Sequence, residues 1–377
     1  MRVAHFCDSH GGRPDGVALS AARTVRLLRA AGHEADLYRP GAVLSRVPSV
    51  PVPGRHVRIG FPVGVRPAEV VHAHTTGPIG MAGFRAAAAW QVPLVVTWHT
   101  DLLAYADRFP EIPIGAAWCA VSLGLGWSAR EFLELGRPGA VRHGRLVELG
   151  KAMAARMAVA VVPSAKTAAG FAVFEPSAEV HVLPTPVESA APRPASSGGT
   201  VVLSVGRATG EKNPELLLRA FARVHAVRPG ARLVMLGVRQ GRRHVVGRVA
   251  ALGLSGCVSV LPPVPHDEVA GFFRAADVLA FASTTDTQSL VLSEAEAAGL
   301  PAVVADPALA DRPDGSLRFT CAPRAAPFAG ALLRMLDDHA LRARVAGAGR
   351  AAVAAYTPGV FVRRLTAIYE QALGNSA

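Results

Sequence analysis

Val201–Ala226, V-V-L-S-V-G-R-A-T-G-E-K-N-P-E-L-L-L-R-A-F-A-R-V-H-A, opens on a short apolar run, crosses a glycine-punctuated turn and enters helical spacing at Pro214. A run this short bounded by turn residues reads as a buried strand, and Asn-Pro before a periodic apolar stretch reads as a helix start. The same unit recurs on both sides of it. Arg232–Leu236, Val258–Leu261, Val278–Phe281 and Ala302–Val304 read as further strands, with helices at Val245–Leu252, Val269–Ala275 and Ser289–Ala298. Toward the N-terminus a separate cycle reads as strands Val3–Phe6, Glu34–Tyr38, Val70–His74, Leu94–Trp98 and Ala158–Val162, with helices at Ala18–Ala31, Met81–Trp90 and Leu146–Met157. Strands alternating with helices define an α/β class with parallel sheets. Val187–Thr200, rich in Pro, Ser, Gly and Ala, is the linker between the two cycles. Two doubly wound domains are therefore expected, with strand ends facing across a cleft where ligands of open α/β sheets bind.

Composition narrows the function classes. A chain of 377 residues exceeds what one core usually supports. Half of it is apolar, yet no run approaches the roughly 18 residues of a membrane span, and the first strand begins at once without a signal-peptide pattern. A cytoplasmic protein is expected. Cys7, Cys119, Cys257 and Cys321 lack C-x-x-C spacing, which argues against a zinc knuckle or disulfide framework and for buried thiols. The net charge of +12 is shared by both halves, and 37 of the 40 basic residues are arginine. With aromatics at 6% and no clustered cations, no nucleic-acid surface is expected.

Four constellations fall at strand ends. The loop Asp8–Val17, containing His10, Gly11, Gly12 and Gly16, leads from a strand to a helix and can expose backbone N–H groups to an anion. It holds no G-x-G-x-x-G fingerprint, and a plain surface loop reads equally well. Thr97-Trp98-His99-Thr100-Asp101 ends an apolar strand, where His99 either donates to a sugar oxygen or is structural. His72 and His74 share a strand face, but no third metal ligand stands nearby in sequence, so no metal is expected. On the turn after Val205, Arg207 and Lys212 can converge on a diphosphate. The fourth is Asp286–Pro301, D-T-Q-S-L-V-L-S-E-A-E-A-A-G-L-P. An acid followed eight positions later by Glu294 reads as two carboxylates on one helix face, beside a polar turn of Thr287, Gln288 and Ser289. Carboxylates accept from hydroxyls while helix-start amides receive phosphate, which suits a nucleotide sugar. The plainer reading is an amphipathic helix with Glu294 and Glu296 in solvent.

This last stretch resembles the acid-x7-Glu motif of retaining GT-B glycosyltransferases of family four. The resemblance extends to S-V-G-R-A-T-G-E-K-N-P-E-L-L-L-R-A-F, V-P-H-D-E-V-A-G-F-F-R-A-A-D-V, V-H-A-H-T, V-T-W-H-T-D and the P-D-G-V loop, and so covers nearly the whole chain. It implies a GT-B fold of two Rossmann-like domains, 1–186 for the acceptor and 187–355 for the donor, with 356–377 as a helix returning to the N-terminal domain. It implies that Arg207 and Lys212 hold the donor diphosphate with Gly16 and the amides near Leu290. Thr287, Gln288 and Ser289 complete that donor site. Glu294 would hold the ribose, Asp286 the donor sugar, and His99 the reacting centre. Retention by same-face attack with no dedicated nucleophile, no cofactor and no metal are further implications. Asp286 departs from the family's usual Glu and Ser289 from a common Gly, which opens the question of which sugar is used. A UDP-sugar is the expected donor, with GDP-mannose the alternative.

The acceptor is expected on the N-terminal domain, in Gly41–Arg66 and Asp101–Glu148, with His10 and Asp101 as acceptor-side candidates. A basic, partly amphipathic block around Arg137–Arg156 admits membrane-surface contact, but Leu146, Leu149, Met153 and Met157 fit a core-facing helix better. A small-molecule acceptor, either a secondary metabolite or a glycolipid precursor, follows. A GT-B sugar-nucleotide epimerase and a catalytically silent partner subunit remain as alternatives.

Overall fold

The computed structural model describes residues 1–9, 15–41, 46–51, 58–107, 111–188 and 200–375. Its strands are β1 (Arg2–Phe6), β2 (Glu34–Tyr38), β3 (Ser49–Pro51), β4 (Arg58–Gly60), β5 (Val70–Ala73), β6 (Leu94–Thr97), β7 (Val159–Val162), β8 (Glu179–Val182), β9 (Val201–Val205), β10 (Arg232–Leu236), β11 (Val258–Val260), β12 (Val278–Phe281) and β13 (Ala302–Val304). They form a six-stranded sheet ordered β2-β1-β5-β6-β7-β8, a five-stranded sheet ordered β11-β10-β9-β12-β13, and the small β3-β4 pair. Every ladder of the two large sheets is parallel. The order reverses at β1 in one sheet and at β9 in the other, as a doubly wound topology requires.

The chain divides into two compact units, Met1–Thr185 with Gly359–Ala377 and Pro186–Pro358. Each has its own core. In the first, β5, β6 and β7 are buried along their whole length, because helices cover both faces of the sheet and no alternation of polar residues is needed. In the second, Leu217, Leu218, Phe221 and Val224 of helix Pro214–Val227 pack with Phe328, Leu332 and Met335 of helix Ala325–Asp337. The terminal helix Pro358–Gly374 belongs with the first unit, burying Phe361, Leu365, Ile368 and Tyr369 at helical spacing.

The sequence pattern assigns no element to β8, to the β3-β4 pair, or to helices Leu102–Ala106, Glu111–Leu123, Ala129–Glu134, Ala165–Phe171, Ala325–Asp337 and His339–Ala355. β8, E-V-H-V, carries polar residues at alternate positions and lies at a sheet edge, so it lacks the continuous apolar run of its neighbours. The linker expected at Val187–Thr200 falls mostly outside the described residues. Helix Ala140–Ala154 takes Leu146, Leu149 and Met153 into the core, with Met157 buried just beyond its end. Cys7, Cys119 and Cys257 are buried free thiols, and Cys321 is half-buried. No helix of the described residues is long and apolar enough to cross a membrane.

Candidate functional site

In the second unit, β9 is followed by Gly206, whose φ of +143° is accessible to glycine and lets the chain turn sharply. A single 3-10 turn, Gly210–Lys212, follows, and Asn213 caps helix Pro214–Val227 by accepting from the Leu216 amide at 3.3 Å. This turn presents Arg207 and Lys212. Each is already matched with an acid rather than left to converge on an empty pocket. Lys212 Nζ donates to both oxygens of Asp286 at 2.6 and 2.7 Å. Arg207 Nη2 donates to Glu211 Oε1 at 2.9 Å. Glu211 is itself fixed, since the Ser283 hydroxyl donates to its carbonyl at 2.8 Å. The loop after β12 thereby locks onto the loop after β9.

Asp286 is not on a helix with Glu294. The helix runs Leu290–Ala297, and Ser289 before it sits at a φ of +63°, outside right-handed helical space. A residue so placed ends any helical continuation toward Asp286. Its hydroxyl then caps the helix, accepting from the Leu292 amide at 3.4 Å. Asp286 is thus a buried loop carboxylate turned to Lys212, while Glu294 stands on the helix, half-buried, with His266 Nε2 at 3.6 Å from its Oε1. Thr287, Gln288, Ser289 and Leu290 are half-buried in the turn between them. Glu296, which the plainer reading of this helix puts in solvent, is buried. Its Oε1 accepts from Arg312 Nε at 2.8 Å and from Arg318 Nε at 2.9 Å, all three side chains being under a tenth exposed. The helix is therefore not amphipathic: its second acid is structural, clamped by two guanidinium groups.

In the first unit, His10 lies outside the described residues. Gly16 begins helix Gly16–Ala30 with open space where a side chain would stand, so no neighbour among the described residues requires glycine there. Asp15 caps that helix, its Oδ1 accepting from the Ala18 amide at 2.8 Å. Asp101 caps Leu102–Ala106 through the Ala104 amide at 2.9 Å, a structural duty for an acceptor-side candidate. Asp8, on the same loop as His10, is a carboxylate the sequence reading passes over. It accepts from the amides of Ile79 and Gly80 at 2.8 and 3.0 Å and from the Thr75 hydroxyl at 2.6 Å, neutralising the start of helix Pro78–Trp90. Burial nonetheless raises its pKa above the usual carboxylate value. Gly77 is required beside it, because a Cβ there would lie 2.6 Å from the Asp8 carboxyl carbon.

His99 is half-buried, and desolvation holds its pKa down at about 4, with Asp15 opposing. It is a neutral imidazole at pH 7. Its ring stacks on His74 at 5.9 Å and 18°, and His74 stacks on His72 at 4.3 Å and 22°. The third histidine missing from the sequence pattern comes from β1: register places His5 opposite His72. His5, His72 and His74 are buried, and each offers a ring nitrogen within 4.8 Å of the others, close enough to be weighed as a metal site. Both His72 nitrogens, however, are engaged, with the Tyr369 hydroxyl at 2.6 Å and the Thr97 hydroxyl at 2.7 Å. His5 Nδ1 and His74 Nε2, 3.0 Å apart, also engage each other.

The fold and the second unit's turn define a class: a doubly wound α/β protein whose strand-end cations and carboxylates suit an anionic, hydroxyl-rich ligand. The family of glycosyl transferases group 1 matches residues 188–351. A D-inositol 3-phosphate glycosyltransferase of Streptosporangium roseum is 30% identical over 329 residues, covering 81% of this chain and 70% of the relative. One of the same description from Acidothermus cellulolyticus is 34% identical over 183 residues, 42% of this chain and 40% of the relative. Among solved structures, sucrose-phosphate synthase from Thermosynechococcus elongatus superposes with a TM-score of 0.71 at 17% identity, covering 99% of both chains. Anabaena HepE in complex with UDP-glucose gives 0.68 at 17% identity, covering 98% and 99%. This chain belongs to the group 1 glycosyltransferases, family four, with the GT-B fold. It is a glycosyltransferase.

Proposed function

We propose that the protein moves a sugar from a UDP-sugar to a hydroxyl of a small-molecule acceptor, with retention at the anomeric carbon and without a metal. The observation that carries this reading is the joined pair of loops after β9 and β12, where Lys212 and Asp286 meet with Arg207 close behind in sequence. The donor's diphosphate takes over Lys212 and Arg207. Both are charge-assisted donors, and they stabilise the negative charge that grows on the departing nucleoside diphosphate. Asp286, released from Lys212, accepts from a hydroxyl of the donor sugar, and Glu294 accepts from the ribose hydroxyls. Amides at the start of helix Leu290–Ala297 supplement the cations on the phosphate. His99, neutral at pH 7, donates a hydrogen bond to the sugar without adding charge.

In the transfer the bond from the anomeric carbon to the phosphate oxygen breaks while the acceptor oxygen bonds to the same face. The acceptor's proton passes to the departing phosphate oxygen. No nucleophilic side chain and no external base enter this balance. A UDP-sugar is favoured because a neighbour of the same fold binds UDP-glucose. The name of the 30% identical relative makes an inositol phosphate a sensible first acceptor to try.

The test incubates the purified chain with UDP-glucose, UDP-N-acetylglucosamine and GDP-mannose, with and without an inositol phosphate or lipid acceptor, and follows nucleoside diphosphate and product. Acceptor-dependent release of UDP with an axial, retained linkage is expected. Conversion of one nucleotide sugar into another would instead identify an epimerase, and folded protein that binds no nucleoside diphosphate would overturn the reading.

A further inference from the structure

The V-H-A-H motif that runs past the end of β5 is not used by the donor site, yet its two imidazoles join those of His5 and His99 in one cluster. His5 Nδ1 lies 3.0 Å from His74 Nε2, His74 is stacked between His72 and His99, and His72 is hydrogen-bonded at both ring nitrogens. Burial keeps His5, His72 and His74 neutral and keeps the Tyr369 hydroxyl protonated. A neutral imidazole donates from one nitrogen and accepts at the other. His72 can thus satisfy the Tyr369 and Thr97 hydroxyls together and complete a chain that crosses three elements. One end is the terminal helix. The other is Thr97, the last residue of β6, two positions before His99.

We propose that His5, His72 and His74 form a positioning column for His99, latched to the terminal helix by the Tyr369 hydroxyl. Stacking sets the plane of the His99 ring, and the Tyr369–His72–Thr97 chain sets the height of the strand end that carries it. The terminal helix, 270 positions away in sequence, then takes part in the reaction through an imidazole it does not touch. The simpler account, a satisfied polar core, explains the hydrogen bonds of His72. It does not require that the rings of His72 and His74, with His5 hydrogen-bonded to the latter, continue in stacked succession to a half-buried histidine at a strand end.

The inference rests on the transferase reading, in which His99 serves the reacting sugar, and its test separates the two. Tyr369→Phe deletes one oxygen and keeps the ring; His74→Phe keeps a flat stacking surface, and His74→Ala removes it. For each full-length variant three quantities are read: UDP affinity by calorimetry, UDP release from UDP-glucose, and the His99 ring resonance by NMR. Expected are a UDP affinity within about twofold of the parent and an unchanged KM for UDP-glucose. In Tyr369→Phe kcat falls about tenfold, as when a contact made only in the transition state is misplaced. His74→Phe retains more turnover than His74→Ala. Unchanged kcat in Tyr369→Phe, or equal losses in the two His74 variants, overturns the column. If the parent neither binds UDP nor releases it from UDP-glucose, the transferase reading has failed. The column is then judged on the His99 resonance, which must move in Tyr369→Phe; a resonance that stays in place overturns it.

Discussion

Two buried polar clusters, one in each unit, handle charge in opposite ways. In the first unit's cluster, burial keeps four neighbouring histidines neutral, and a tyrosine hydroxyl stays protonated beside them. In the second, charge is kept and matched, Lys212 with Asp286, Arg207 with Glu211, and Arg312 and Arg318 with Glu296. Neutral polar groups cost little to bury once hydrogen-bonded, whereas paired charges hold steep local fields. In the proposed reaction the contrast matches two duties, holding one ring in a fixed orientation and exchanging one set of counter-ions for a diphosphate.

The largest effect is expected where matching is most complete. Glu296→Ala leaves two buried guanidinium groups without their acid and should lower stability by about 3–5 kcal/mol in urea unfolding. A loss under about 1 kcal/mol would break the view that the second unit depends on charge matching.

Next, Asp286→Asn should cut turnover about 10²-fold or more while UDP binds more tightly, because Lys212 no longer has to leave a carboxylate. The two changes of opposite sign sharpen the distinction between a counter-ion and a simple ligand. Lys212→Met should weaken UDP binding by about tenfold to a hundredfold, the worth of a charge-assisted contact; calorimetry reads it directly.

Gly241→Ala probes the backbone beside the same turn. With φ at +72° and a Cβ that would sit 2.6 Å from the Ala208 carbonyl, it should cost about 1–3 kcal/mol. The last test is the response of the first unit to acid. His99 has a folded pKa of about 4 against 6.5 for an ordinary histidine, so between these values the unfolded chain binds more protons. Stability therefore rises with pH across that window and is lost as pH falls through it. His5, His72 and His74, also lowered, act in the same direction. A melting temperature lower by about 5 °C or more at pH 5 than at pH 7.5 is expected; no change would mean the column opens to water.

Much of the fold was legible because buried parallel strands are short apolar runs and their helices keep a 3.6 period. β1, β2, β9, β10 and β12 fall where the pattern puts them. β8 was illegible because an edge strand half in solvent has no such run, and helix Ala325–Asp337 because an alanine-rich stretch after the last strand has no strand to follow it. At the candidate site, the motif residues were legible by spacing and resemblance. Their pairing was not, since Lys212 and Asp286 are 74 positions apart.

The sequence by itself determined two α/β cycles, the family and the side chains that meet the donor in the proposed reaction, because local periodicity and motif spacing are written in consecutive residues. Tertiary structure alone decided that Glu296 is clamped rather than solvated and that Asp286 lies off the helix. It also brought His5 beside His72 and His74, with Tyr369 closing the row. Those facts depend on strand register and on which helix covers which sheet, and neither is set by any one stretch of chain.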